Sequence, residues 1–97
     1  MYLIRFRKNA FEELQELKKN DQQVVISAIE SRLFAEPLTE TRNRKMLRPN
    51  DLGSWELRVD RFRVFYDVDV KSRVVTVTAV GWKDHNTLYI RGREYPL

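Results

Sequence analysis

The sequence predicts an α+β domain: one strand, a two-helix hairpin, then a three-stranded antiparallel meander, with the helices on one face of the sheet. Three observations predict it. The stretch WELRVDRFRVFYDVD, Trp55 to Asp69, alternates apolar and polar residues in two runs, the period of half-buried strands. Between Asn9 and Leu33 the apolar residues recur instead at helical spacing. Finally, 97 residues with a 42% apolar fraction and eleven aromatics make one folded domain, residues 1–97, around a single modest core.

The elements follow in order. Tyr2, Ile4 and Phe6 share one side of a first strand. Asn9 is placed to cap a helix, with Glu12 completing a capping box and Ala10, Leu14 and Leu17, with Phe11 beside them, forming its inward stripe. Lys18 and Lys19 suit the negative end of that helix dipole. Asp21 opens a second helix with Val24, Val25, Ala28, Ile29 and Leu33 inward, and Pro37 stops it. Residues Leu38 to Ser54, with the breakers Pro49 and Gly53, read as a long loop, and a loop of that length in a small domain belongs to a binding surface. The meander's last strand is Arg73 to Trp82, which Gly81 ends or kinks. The tail from Lys83, with Leu88, Tyr89 and Ile90, suits a short helix or an added strand.

The hairpin also fixes a register. Matching apolar faces sets Val59 opposite Phe62, Leu57 opposite Val64 and Trp55, a core residue, opposite Tyr66. Arg58 then faces Arg63, a like-charge pair that costs about 0.2–1 kcal/mol. Such a pair is either a solvated face or a site for an anion, and phosphate fits the guanidinium fork.

Charge supports the second option. From Arg42 to Arg63, seven basic residues (Arg42, Arg44, Lys45, Arg48, Arg58, Arg61, Arg63) stand against Asp51, Glu56 and Asp60, an excess equal to the net charge of +4. Localised positive charge with a pI of 9.6 is the footprint of a nucleic-acid binder. Without cysteine and with only His85, neither disulfides nor a thiolate or histidine metal site is expected. No apolar run approaches the length of a membrane span, and no signal-peptide pattern opens the chain, so a cytoplasmic protein is expected.

The basic run into KMLRP, then WELRVDRFRVFYDVD, then VTAVGWKDHNTLY, in that order, resemble the RelE/ParE toxins of bacterial toxin–antitoxin pairs over essentially the whole chain. The resemblance implies the fold read above and a cognate antitoxin as partner. It implies one of two activities. RelE-type members are ribosome-dependent mRNA endoribonucleases; ParE-type members inhibit DNA gyrase by protein contact. A relative that binds nucleic acid but has lost activity is a further option. Under the RelE-type reading, which the basic cluster favours, the partners are the ribosome and mRNA, no cofactor is used, and the catalytic positions fall on Arg58, Arg63, Lys83 and Tyr89. Arg42, Arg44, Lys45, Arg48 and Arg61 would bind RNA. Two positions depart from that branch: Glu56 stands where a lysine is usual, and Trp82–Lys83 where two basic residues are common.

Metal-free RNA cleavage uses the ribose 2′-hydroxyl as nucleophile and needs a proton acceptor, a donor to the leaving 5′-oxygen, and cations for the phosphoryl charge. Arginines can supply only the last. Lys83 is the candidate donor, Tyr89 the candidate acceptor or a base-stacking group, and His85 a rival for either proton role. Trp82 is expected to cap the sheet edge.

Overall fold

The computed structural model, which describes residues 1–96, pairs β3 (Trp55–Val59) with β4 (Phe62–Asp69) in the register demanded by side-chain alternation: 55 with 66, 57 with 64, 58 with 63, 59 with 62. β4 pairs in turn with β5 (Val74–Asp84), completing the meander. The sheet is larger than three strands. β1 (Leu3–Phe6) lies parallel to β5, β2 (Arg44–Met46) is added outside β3, and β6 (Thr87–Ile90) and β7 (Arg93–Tyr95) extend the other side. The segment expected as a loop thus contains a short strand, and the tail takes its strand option.

Helices α1 (Lys8–Gln15) and α2 (Lys19–Leu33) pack as a hairpin on one face. Beneath them lies the main core, with Ala10, Leu14, Val25, Ile29 and Leu33 meeting Leu57, Val64, Tyr66, Val75 and Val77. Trp55 is buried there and stacks on Tyr66, ring centres 6.1 Å apart. The helix ends differ from expectation. α1 stops at Gln15, so Lys18 and Lys19 begin α2 instead of closing α1. Gln22 Nε2 donates to the carbonyls of Gln15 and Leu17, which cover the frayed end of α1. Asn9 sits inside α1 and does not cap it, because its side chain has a better partner across the fold.

That partner is the middle of β5. One edge of this 11-residue strand serves β1 along Val74–Val77 and β6 along Trp82–Asp84. The backbone between them would be left unpaired, and α1 fills the gap. Asn9 Nδ2 donates to the Thr78 carbonyl at 2.9 Å, and Glu13 Oε1 accepts from the Val80 amide at 2.9 Å. Thr78 is the bulge: β4 pairs Phe65 with Ala79 and Tyr66 with Val77 and skips it. Its hydroxyl donates to the Leu52 carbonyl, pinning the loop before β3 onto the second face. There Leu52, Phe65, Ala79 and Leu88 form a smaller core. Gly81 does not end β5, which pairs regularly with β4 through it, and a side chain there would collide with the Tyr89 carbonyl of β6. Among the described residues, no helix is long and apolar enough to cross a membrane.

Candidate nucleic-acid interface

Arg58 and Arg63 face each other on the side of the sheet away from the helices. The Arg58 amide donates outward to Asn43, at 2.7 Å, so it does not point at β4. The pair is therefore a non-hydrogen-bonded one, the type whose side chains stand closest, at about 4.5 Å between Cα atoms. The two arginines are not equivalent. Arg58 is exposed, whereas Arg63 is only 6% exposed and donates from Nη1 to the carbonyls of Asp60 and Phe62 at 2.8 and 2.9 Å. Burial, then the neighbouring Arg58 charge, pushes the Arg63 pKa down, and Glu56 opposes both.

Glu56 is 5% exposed, with its carboxylate 3.9 Å from Lys45 Nζ on the adjoining strand. The carboxylate that departs from the RelE pattern is thus folded away as a counter-charge between Lys45 and Arg63. Lys83 lies on the same face. Arg63 is opposite Gly81, so Lys83, two residues on, is its diagonal neighbour at about 7–8 Å. The Lys83 amide donates to the Arg61 carbonyl at 2.8 Å, which holds the end of β5 beside the hairpin turn.

Three expected site residues point elsewhere. Tyr89 pairs with Trp82, and alternation places both on the face opposite Lys83 and Leu88. Their rings stack at 6.0 Å and 17°, with Trp82 packed against the main core, so Trp82 covers the sheet edge together with Tyr89. Arg61 turns toward the helices, over the Phe62 ring at 4.8 Å and 4.0 Å from Asp21. Arg44, expected to bind RNA, donates from Nη1 to the Arg32 carbonyl at 2.6 Å, a cation at the negative end of α2. Arg42, Lys45 and Arg48 remain exposed along and beyond β2. His85 occupies the β5–β6 turn at positive φ, fully solvated, its Nδ1 3.0 Å from Asp84.

The family model described as the ParE toxin of type II toxin–antitoxin systems, parDE, matches residues 4–86. The chain belongs to that family. Solved structures of RelE and RelBE proteins share the fold. The RelBE2 toxin–antitoxin complex of Mycobacterium tuberculosis contains a chain 27% identical, covering 84% of this one and 91% of that, with a TM-score of 0.74. A chain in the archaeal RelE–RelB complex of Pyrococcus horikoshii is 20% identical (87% and 97% covered, TM-score 0.70). The isolated RelE toxin of Escherichia coli is 19% identical (88% and 87%, TM-score 0.64), a likeness of fold. Comparison with curated proteins returned no match.

The toxin has one further cation near the arginine row that the sequence did not single out. Past the start of β2, the open edge of β3 and the outer side of α2 bound a groove of about 410 Å³, lined by Val24, Ala28, Arg32, Asn43 and Arg58. In sequence Arg32 is only a cation in the last turn of a helix. The packing of α2 brings it to the groove that Arg58 also lines.

Proposed function

We propose that this toxin arrests translation as a RelE-type, ribosome-dependent mRNA endoribonuclease working without a cofactor. The observation that carries the reading is the Arg58–Arg63 pair. Two cations are held side by side on one face, at a cost to the sheet, with Lys83 diagonal to Arg63 and Arg42, Lys45 and Arg48 exposed along the adjoining edge. Arg58 contacts the scissile phosphate, and Arg63, fixed by two backbone carbonyls, supplies a preorganised charge behind it. Lys83 donates to the leaving oxygen. Tyr89 is left out of the proton relay because it stacks on the other face, and His85, in the turn that follows Lys83, takes the acceptor role. An antitoxin is the partner that silences the toxin, in keeping with the family and with the solved complexes. A cytoplasmic location follows from the ribosomal target.

A second reading is favoured by the placement of Tyr89 and by the ParE family match: inhibition of DNA gyrase by protein contact. Pulse labelling after induction without antitoxin separates the two. The nuclease reading expects amino-acid incorporation to collapse first; an earlier collapse of thymidine incorporation assigns the toxin to gyrase.

A further inference from the structure

β6 and β7 lie beyond residue 86, outside the stretch that matches the family model. Their register carries the face of Arg63 and Lys83 outward across the sheet. Lys83 stands opposite Leu88 and Leu88 opposite Tyr95, so one rung crosses three strands with all three side chains on that face. Tyr89 and Glu94 form the neighbouring rung and point the other way. Arg93, two residues before Tyr95, shares its face and is exposed.

Within the rung, Leu88 is buried in the smaller core, and Tyr95 packs against that core while staying partly open. This packing fixes the ring before any ligand arrives, which lowers the entropy cost of binding on it. Beside the ring lies a cavity of about 200 Å³ bounded by Lys83, Asn86, Leu88 and Tyr95. A pocket that encloses a whole small ligand has roughly 300–1,000 Å³, so this one suits a single unit of a longer chain. Adjacent strands are about 4.8 Å apart, which sets Tyr95 about 10 Å from Lys83 at the level of the backbone.

The chemistry of the rung chooses the ligand. A cation at one end and a partly open aromatic ring at the other match the phosphate and the base of a single strand of RNA, since every base has a face to stack. Arg93 adds positive charge on the far side, and Glu94, the one acid bounding the cavity, is turned to the opposite face by alternation. We propose that Tyr95 is a base-stacking residue of the nucleic-acid face. It holds one base of the message close to the scissile phosphate and so positions the strand over Arg58, Arg63 and Lys83. The proposal rests on the nuclease reading above.

The test is single-turnover cleavage on programmed ribosomes by the full toxin and by Tyr95→Phe and Tyr95→Leu, with a thermal melt of each. Leucine keeps apolar packing on Leu88 and removes the ring; Tyr95→Met replaces it if the leucine variant does not fold. The expected result is a rate near wild type for Tyr95→Phe and a loss of about tenfold or more without the ring, the size of one base stack. Messages made abasic at one position at a time add a readout that a structural role does not move. At the stacked position, wild type should fall to the rate of Tyr95→Leu, and Tyr95→Leu should fall no further. A folded ringless variant that cuts like wild type overturns the subsite. So does a loss that Tyr95→Phe shares, or one that stays undiminished on every abasic message. A wild type that cuts no programmed message overturns the nuclease reading itself, and the subsite with it.

Discussion

Glu13 Oε1 accepts a hydrogen bond from the Val80 amide at 2.9 Å, joining the first helix to the middle of the longest strand across 67 positions of sequence. The carboxylate is 8% exposed, and its other oxygen accepts from Asn9, which holds the Thr78 carbonyl next door. Two side chains of one helix thus complete the strand edge that β1 and β6 leave open. Glu13→Ala strands a buried amide and should cost about 1–3 kcal/mol. Glu13→Gln keeps an acceptor and should cost less. Urea melts of the two variants check the order; equal losses would mean that the effect is packing alone.

Gly81 and Gly92 make a matched pair of tests. At Gly92, with φ of +74° and open space around it, alanine meets only backbone strain, about 1–2 kcal/mol. At Gly81 a methyl group meets the Tyr89 carbonyl and Ile90 Cγ1, so β6 must move. Gly81→Ala should therefore cost more than Gly92→Ala and should also alter Trp82 fluorescence, because the Trp82–Tyr89 stack moves with β6.

Asp69 gives a pH-dependent contribution. Its Oδ1 accepts the Ser72 amide at 3.2 Å in the β4–β5 turn, and bonds from the Ser72 backbone and then its side chain hold the carboxyl below the ordinary range. A depressed folded-state pKa contributes stability above the unfolded value of about 3.9, and this is lost as pH falls through the folded one. The stability gap between wild type and Asp69→Ala should be present at neutral pH and vanish in strong acid. A gap that persists in acid would show that the carboxylate charge plays no part.

The RNA surface predicts a salt dependence. If Arg42, Lys45, Arg48 and Arg58 each neutralise one phosphate, the log–log slope of single-stranded RNA binding should be about −3. Arg44→Ala, which removes the cation at the end of α2, should lower stability and leave that slope unchanged. A flat salt response would mark these side chains as ordinary solvated surface.

What was legible in the sequence follows from the range of the forces involved. The β3–β4 register was readable because a one-residue slip would expose Leu57 and Val64 together and bury charge. The helix hairpin was readable from Ala10, Leu14, Val25 and Ile29. Asn9 was misread because a local capping pattern cannot reveal a carbonyl at Thr78, 69 residues away. β2 was hidden because its three residues, Arg44–Met46, are mostly exposed and carry no alternation. For the site, the sequence set Arg58 opposite Arg63, which the strand pairing reproduces, whereas the place of Lys83 on the same face comes from the pairing of β4 with β5. It could not show that Arg63 would be buried, since that depends on the Asp60 and Phe62 carbonyls turning inward. Nor could it show Tyr89 on the opposite face, which depends on the tail forming a strand and not a helix.

The account rests on Arg58 acting on phosphate and not on the fold. Arg58 is exposed and faces a like charge, so Arg58→Ala should leave stability unchanged or raise it by up to about 1 kcal/mol. Arg63→Ala differs, because it releases two backbone carbonyls and should destabilise the protein. The decisive measurement is therefore single-turnover cleavage of mRNA on programmed ribosomes by Arg58→Ala, with a thermal melt of the same preparation. The account predicts a loss on the order of 10²-fold or more with an unchanged or raised Tm. Full cleavage by the folded variant, or no cleavage by the wild type under conditions where it blocks gyrase, would contradict it.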